Sequence, residues 1–479
     1  MNIRSITESF FLLEEELNIF EKQIDGVYFW ELVRWHVHRQ ILEKKNIYGQ
    51  AHTKVATNSN YYTNFILSAA KNLFIKNPFF APQSDILFWG HQRRKKMGDG
   101  LWWDIYCDPI INYLRHEKSY LLLESPYIDT HLSPAKTAHL CYLDLVIFLA
   151  WIQRKLRIVR FFMSKKEQNL LKEIQKHIET RFKVNIDILP LVSNMLFIRK
   201  SILPFYKKVL KTIRPQIVVI LCSYTGKDIF IGACKELAIP VVEMQHGTSV
   251  GRYHLGYSFP GTHGRKHTFP DYFFTFGDFW KNRSEYPIKA ENIISVGYPF
   301  FELEIKKYAQ VNKKEQILFI SQGTIGKEMS KFATQLQARD DFLLDIAYKL
   351  HPGEYDRWKE EYPWLKNSKI IVIDDDTVPL YKLLAESSAQ VGVYSTVVYE
   401  GLGFGLKTFL LDLPGIEYME ELISYKAATV VSSVDELVIQ IQQPGEQEIE
   451  ASSFFKPNAL ENISNTLNGI IRQSNEKHS

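Results

Sequence analysis

Short apolar segments of strand length alternate with helical segments along most of this chain, and no other feature limits the fold as much. The predicted strands lie at 85–90, 120–123, 217–221, 240–244, 272–276, 293–296, 317–320, 347–350, 370–373, 390–393 and 408–411, with a further candidate strand at 184–189. Strands that alternate with helices at such intervals form a mostly parallel sheet with both faces covered. The sequence therefore predicts an α/β fold made of two doubly wound, Rossmann-like domains.

The chain has 479 residues, more than a single hydrophobic core usually serves. We predict a helical extension before the first domain and a helix with a polar tail after the second. The domain boundary is placed in the long, Gly- and His-rich loop that follows the strand at 240–244. The predicted units are 1–80, 81–268, 269–445 and 446–479.

Composition excludes several classes of protein. A net charge of +4 is small for this length and argues against nucleic-acid binding. The four cysteines are far apart and lack the spacing of metal ligands, which indicates a reducing compartment. The longest apolar run, 145–152, has eight residues, far fewer than the roughly 20 that a spanning helix needs. The first residues do not resemble a signal peptide. We expect a cytoplasmic protein.

Basic residues cluster at two places, around Arg93 and between Arg154 and Lys166. The stretch 65–76 is also basic and amphipathic. The two clusters could face an anionic acceptor or the cytoplasmic face of an inner membrane. The stretch 65–76 could lie on a membrane surface. For the stretch 65–76, the alternative is a helix docked on its own domain.

A hydroxyl pair, Ser395 and Thr396, stands between the strand at 390–393 and a helix. The first N–H groups of a helix lack internal partners and lie at the positive end of its dipole, so phosphate binds there readily. Glu400 follows one turn later, where a carboxylate could accept hydrogen bonds from a ribose. The alternative is an ordinary N-capped core helix.

Two further loops follow predicted strands of the second domain. His351 ends one strand and is followed by Pro352 and by Glu354. As a catalytic residue, His351 could bind the donor phosphate or donate a proton to the leaving phosphate, and Pro352 and Glu354 are candidate contacts of the donor ribose or base. The other loop, 321–327, contains Gly323 and Thr324 and suits a phosphate-lined cleft. Its glycines are too close together for a Walker motif.

The loop after the strand at 240–244 begins with Gln245, His246 and Gly247. We predict that it forms the acceptor-side wall of the cleft and that His246 acts as a base. Asp99 and Asp104, after the first strand, are candidate carboxylate bases or acceptor contacts, with helix capping as the alternative for each. No zinc spacing and no GxGxxG motif is present, and we expect neither a metal nor a cofactor.

Three motifs together resemble a known group of enzymes: Gln245-His246-Gly247, His351-Pro352-Gly353 and Ser395-Thr396 with the Gly-rich continuation. The chain is similar, over roughly 85–440, to bacterial glycosyltransferases of the GT-B architecture that build surface polysaccharides. These include sialyl- and polysialyltransferases, ulosonate transferases and the glycerophosphotransferases of teichoic acid synthesis.

The resemblance implies roles for individual residues. His351, Ser395 and Thr396 match the positions that contact the phosphate of an activated donor. His246 matches the His-Gly histidine of the glycerophosphotransferases, and Glu400 matches the position that holds the donor ribose. Asp99 stands in Gly98-Asp99-Gly100, where the sialyltransferases have a different acidic signature.

The expected activity is transfer of a sugar from a nucleotide-activated donor, with CMP or CDP favoured over UDP. The acceptor would be a glycan or a lipid-linked glycan in capsule, O-antigen or lipopolysaccharide synthesis. Two alternatives share the architecture: a non-hydrolysing sugar-nucleotide epimerase, and a non-catalytic assembly protein that binds nucleotide.

Overall fold

The structure is a computed structural model, and it describes residues 2–47, 61–92, 94–127, 130–224, 226–247, 250–261, 267–443 and 450–478. Its strands form two parallel sheets and one short hairpin. Helices cover both faces of each sheet, which confirms the predicted α/β fold. The helices are α1 Ile3–Glu16, α2 Trp30–Lys44, α3 Tyr61–Asn72, α4 Cys107–Leu114, α5 Asp144–Lys155, α6 Lys165–Phe182, α7 Ile188–Ile213, α8 Asp228–Glu236, α9 Pro299–Tyr308, α10 Gly326–Gln337, α11 Trp358–Glu361, α12 Pro363–Lys366, α13 Leu380–Glu386, α14 Thr396–Gly403, α15 Glu420–Ser424, α16 Val434–Gln442, α17 Ala451–Phe454 and α18 Ala459–His478.

The first sheet has seven parallel strands. They are β1 Ile86–Trp89, β4 Tyr120–Glu124, β5 Leu140–Tyr142, β6 Ile217–Leu221, β7 Val241–Met244, β8 Tyr272–Thr275 and β9 Ile293–Ser295, in the order β5-β4-β1-β6-β7-β8-β9. The hairpin of β2 Lys95–Lys96 and β3 Trp102–Trp103 follows β1. The central strand β1 is buried along its whole length, as expected of a sheet covered on both faces.

The second sheet has six parallel strands. They are β10 Gln316–Ile320, β11 Asp345–Lys349, β12 Ile371–Ile373, β13 Ala389–Gly392, β14 Lys407–Leu411 and β15 Thr429–Val431, in the order β12-β11-β10-β13-β14-β15. The loops after β11, β10 and β13 therefore leave neighbouring strands at one edge. Because ligands of doubly wound sheets bind outside the carboxyl ends of the strands, this edge is where a site is expected.

The predicted domain boundary at residue 268 is wrong. Strand β8 pairs with β7, and β9 pairs with β8, so both extend the first sheet. The change of sheet falls between Ser295 and Gln316. An apolar run of strand length does not show which sheet the strand joins. The candidate strand at 184–189 is wrong, because these residues form the connection between α6 and α7 and the start of α7. The last helix, α18, also returns to the first domain, where Ile463 and Leu467 pack in the same apolar cluster as Phe88.

The long helix α7 is the one described helix that is long and apolar enough to cross a membrane by length and composition. Its first half packs in the apolar cluster of the N-terminal helices, through Ile188 and Val192. Its second half packs against the first sheet, through Val209 and Ile213. In this fold α7 is a packed helix that joins two apolar clusters.

The N-terminal helices hold the loop that follows β7. Arg34 on α2 is buried, pairs with Glu14 on α1 at 2.7 Å, and donates to the carbonyl oxygens of Leu255 and Ser258, each at 2.7 Å. Glu31, one turn earlier on α2, accepts hydrogen bonds from the backbone N–H groups of His267 and Thr268. Side chains of α2 thus hold the loop on both sides of its undescribed residues 262–266.

Replacing Arg34 by methionine should lower the free energy of unfolding by about 3–5 kcal/mol, because Glu14 would be left buried without its cation. Arg39→Met on the same helix is the matched control. Arg39 pairs with Glu43 on the surface, and an exposed pair contributes less than about 1 kcal/mol. Urea unfolding of both variants measures the difference, and equal losses would show that the buried pair has no special role.

Candidate active site

The two domains meet where the loop after β7 contacts the start of α14. Gly247 has a φ of +69°, and a Cβ built on it would lie 3.2 Å from Thr396 Oγ1. Both the left-handed backbone and the close approach favour glycine at this position. The contact brings the predicted His246 loop and the predicted phosphate-binding hydroxyls to the same place.

The start of α14 has the geometry of a capped helix. Ser395 is the N-cap residue, with an extended backbone, and its Oγ accepts a hydrogen bond from Val397 N at 3.3 Å. Behind it, a Cβ on Gly392 would lie 2.6 Å from Val398 Cγ2, so the strand packs tightly on the helix. The cap predicted as the alternative is therefore present. It is compatible with anion binding, because Ser395 occupies only one of the N–H groups at this end.

The loop after β10 lies beside this helix start. Thr324 Oγ1 and Tyr394 OH are hydrogen-bonded to each other, and Gln322 Oε1 accepts from Tyr394 N at 3.3 Å. A Cβ on Gly323 would lie 2.9 Å from Arg357 Nη2. The predicted residues Gly323 and Thr324 are thus next to the Ser395–Thr396 pair. Their contact with a phosphate stays a prediction.

Arg357 is a candidate site residue that the sequence did not indicate. Its Nε donates to the Gly353 carbonyl oxygen at 2.9 Å, and its Nη1 pairs with Glu361 at 2.9 Å. The guanidinium therefore lies between the loops after β10 and β11. No motif marks it, and only the fold places a cation beside Gly323.

His351 begins the short turn after β11 and is exposed. Its Nδ1 accepts a hydrogen bond from Gly353 N at 3.0 Å. A neutral ring with Nδ1 as the acceptor carries its proton on Nε2, so the ring can donate from that atom. Pro352 is the first residue of the turn and is also exposed. Its contact with the donor stays a prediction.

Glu354 does not face the cleft, which corrects the prediction that it contacts the donor ribose or base. Its side chain is buried, and Oε2 accepts from His351 N at 2.8 Å. Oε1 accepts from Ser321 Oγ at 3.1 Å and from Tyr362 OH at 2.8 Å. Glu354 therefore ties the His351 turn to the loop after β10 and positions both.

His246 is held between two rings of the first domain. It stacks on His91, with ring centroids 4.7 Å apart, and lies 5.1 Å from the Tyr106 ring. Tyr106 in turn stacks on Tyr298 at 5.4 Å. His91 was missed in the sequence, although it directly follows the buried strand β1, where site residues of such folds are found.

Gln245 and Asp104 are buried beneath the site, so neither is an acceptor contact as predicted. Gln245 Oε1 accepts from Phe276 N, and its Nε2 donates to the Gly247 carbonyl oxygen, both at 2.9 Å. Asp104 accepts from His91 N at 2.7 Å and from Tyr106 N at 3.0 Å. Gln245 thus fixes the backbone of the His246 loop, and Asp104 fixes the backbone of the two residues whose rings contact His246.

Asp99 lies at the exposed tip of the β2–β3 hairpin. Its carboxylate accepts from Trp103 Nε1 at 3.1 Å and pairs with Lys136 at 3.2 Å. Trp103 belongs to the hairpin and Lys136 to the connection between β4 and β5, so neither partner lies in the loop of His246. The role of Asp99 as a base stays a prediction.

Glu400 is buried on α14, with its Oε1 accepting from Tyr381 OH at 2.9 Å. Burial raises the pKa of Glu400 to about 7, against the smaller opposing effects of Tyr381 and of the Lys95 charge. Lys95 belongs to the first domain, so Glu400 lies where the domains meet. Its contact with a ribose stays a prediction.

Glu400→Gln tests this buried carboxyl. A raised pKa means that the folded protein binds the proton more tightly than the unfolded chain. Wild type therefore loses stability relative to the variant as pH rises from about 4.5 to about 7, by about 2–3 kcal/mol. Unfolding midpoints across this range measure the difference, with the exposed Glu360→Gln as control. A constant difference would contradict a titrating Glu400.

Two residues that belong to predicted features fall outside the described residues: Arg93 of the first basic cluster, and His263, one of the histidines of the Gly- and His-rich loop after β7. Among the described residues, no group of three His, Cys, Asp or Glu side chains is arranged to hold a metal ion. The expectation of a metal-independent site stays a prediction.

Comparison with protein-family models and with curated proteins shows no family for this chain. No protein-family model matches the chain. One curated protein, the alanine–tRNA ligase of Mycoplasmopsis synoviae, is 39% identical over 70 residues, which is 14% of this chain and only 8% of the ligase. So short a match shows no family.

Solved structures match most of the chain. The UDP-GlcNAc 2-epimerase of Methanocaldococcus jannaschii has a TM-score of 0.50 at 14% identity, over 80% of this chain and 99% of that one. The UDP-GlcNAc 2-epimerase of Neisseria meningitidis has a TM-score of 0.47 at 15% identity, over 80% of this chain and 99% of that one. The wall teichoic acid polymerase TagF has a TM-score of 0.45 at 11% identity, over 87% of this chain and 99% of the polymerase. The match to the Methanocaldococcus jannaschii structure, together with the two parallel sheets described above, shows that the protein has the GT-B fold, with two α/β domains facing across a cleft.

Proposed function

We propose that the protein is a glycosyltransferase that moves a sugar from a nucleotide-activated donor to an acceptor glycan of the bacterial surface. CMP- or CDP-linked donors are favoured, with UDP as the alternative. The observation that carries the proposal is that the loops after β10, β11 and β13 leave neighbouring strands at one sheet edge, and that the loop of His246 reaches the start of α14 there, through the approach of Gly247 to Thr396. The matched Methanocaldococcus jannaschii protein is a UDP-GlcNAc 2-epimerase, and its nucleotide-activated sugar is consistent with such a donor.

In this proposal the donor phosphates bind at the N-terminus of α14, next to Thr324 and Arg357. Negative charge develops on the phosphate as the bond to the sugar breaks. The helix start and the Nε2 proton of His351 would stabilise this charge, so no bound cation is needed. His246 would take the proton of the acceptor hydroxyl from the opposite side.

The acceptor would enter the cleft from the side of the first domain. His246, His91 and Tyr106 form the wall of the first domain, so the attacking hydroxyl would enter there. We propose a glycan acceptor, linked to a lipid and reached at the cytoplasmic face of the inner membrane. Capsule, O-antigen and lipopolysaccharide are the polymers that the sequence motifs favour.

The test is nucleotide release from candidate donors with and without an acceptor glycan. A transferase releases CMP, CDP or UDP only when the acceptor is present and extends that acceptor by one sugar. A sugar-nucleotide epimerase would convert the donor without any acceptor. Nucleotide binding without either reaction would identify a non-catalytic protein and overturn the proposal.

A further inference from the structure

An unusual surface of the first domain lies outside the cleft, on the helices α3 and α5. Phe65 on α3 packs against Phe148 and Trp151 on α5, and Asn72, at the other end of α3, accepts from Leu145 N at 3.0 Å. The two helices therefore run antiparallel as a pair. The loop 156–164 follows α5 directly and leads into α6.

Large apolar side chains project from this helix pair and its loop into solvent. Phe74 is 89% exposed, Phe162 80% and Leu156 68%. The other exposed members are Tyr62, Ile66, Leu67, Ile75 and Ile158. We call this set the apolar patch. Helix α3 has apolar residues on its packed face and on its outer face, which is unusual for a surface helix.

The charged residues of the same segments are all basic. Residues 61–84 contain two lysines and no acidic residue, and residues 145–166 contain six basic residues and no acidic one. Within the part of the chain that the structure describes, Arg154, Arg157 and Arg160 form no ion pair, and the Arg154 Nε is buried without a hydrogen-bond partner. The protein thus offers positive charge beside exposed apolar groups.

A groove lies between this loop and the helices α6 and α7. Its volume is about 960 Å³. Its lining is both cationic and apolar. Arg154, Arg157 and Arg160 supply the charge, and Phe161, Met163 and Phe197 supply the apolar surface. A ligand that suits such a lining has an anionic head and an apolar chain.

We propose that the apolar patch and this groove dock the protein on an anionic membrane, with the groove receiving the phosphate head group of a lipid. The three arginines would attract the anionic surface, and Phe74, Phe162 and Leu156 would enter the interface between head groups and acyl chains. This inference rests on the proposed function, because it places the enzyme where a lipid-linked acceptor would be found.

Flotation with phosphatidylcholine vesicles, with and without phosphatidylglycerol, tests the surface in the full-length protein. We expect binding only to the anionic vesicles, and weaker binding as salt rises. The triple variant Arg154→Gln, Arg157→Gln, Arg160→Gln should bind them on the order of a hundredfold more weakly, from about 1 kcal/mol for each charge. The variant Phe74→Ser, Phe162→Ser should lose at least about tenfold.

The control with the same loss of charge is Lys289→Gln, Lys366→Gln, Lys369→Gln, which changes exposed lysines away from this surface and should bind like wild type. Equal binding by wild type and the arginine variant would overturn the proposal, as would no binding to either vesicle. Binding of free glycerol phosphate without vesicle binding would also overturn the proposal. The same holds if the protein forms a dimer that the variant Phe74→Ser, Phe162→Ser breaks.

Nucleotide titration of the same variants separates this inference from the proposed function. Intact nucleotide binding with no vesicle binding would overturn only the membrane surface. Vesicle binding without binding of any nucleotide would overturn the proposed transferase and leave the surface standing.

Discussion

Replacing His246 by asparagine is expected to lower turnover by on the order of 10²–10⁴, because a general base contributes about that much to a proton transfer. The affinity for the donor nucleotide should stay the same, because the donor-side loops belong to the other domain. Initial rates with donor and acceptor, together with nucleotide titration, measure both quantities.

His116→Asn is the control for this experiment, because His116 lies on the surface at the far end of α4. His91→Phe is a second, informative variant. It keeps an aromatic ring for His246 to stack on and should retain much of the activity if His91 only positions the base. Full activity of His246→Asn would remove His246 from the mechanism.

The second large effect is expected from His351→Asn. Losing a donor aimed at developing charge costs on the order of 10²–10³ in turnover. Asparagine is chosen because it is a good N-cap residue and can accept from Gly353 N as the imidazole Nδ1 does. The turn should therefore keep its shape, and the loss would report on the imidazole itself.

Rates and thermal unfolding of His351→Asn and His351→Ala separate the two roles of this residue. If His351 only caps the turn, the alanine variant loses stability and the asparagine variant behaves like wild type. If His351 acts on the phosphate, both lose turnover to a similar extent. Wild-type rates in both variants would contradict a role in catalysis.

The fold was predictable because parallel strands buried on both faces are continuous apolar runs that stand out in the sequence. The sheet order was not predictable, since nothing local distinguishes β8 and β9 from strands of the second domain. Their neighbours in the sheet are chosen by packing over long sequence distances. The return of α18 to the first domain depends on the same long-range packing.

The candidate site was predictable where a residue type and a strand end coincide, as at His351 and at Ser395–Thr396. The direction in which each side chain points was not predictable. Glu354, Asp104 and Gln245 lie in the right loops but point into the protein, where they accept or donate backbone hydrogen bonds. Arg357 and His91 enter the site only because the fold brings them there.

The proposed function depends most on a nucleotide binding at the start of α14. Calorimetric titration of CMP, CDP, UDP and GDP into wild type and Thr396→Val measures this directly. We expect one of the four to bind wild type and to bind the variant about tenfold or more weakly, because a hydrogen bond to a charged phosphate is lost. If no nucleotide binds wild type, or if the variant binds as tightly, the donor site is not at α14.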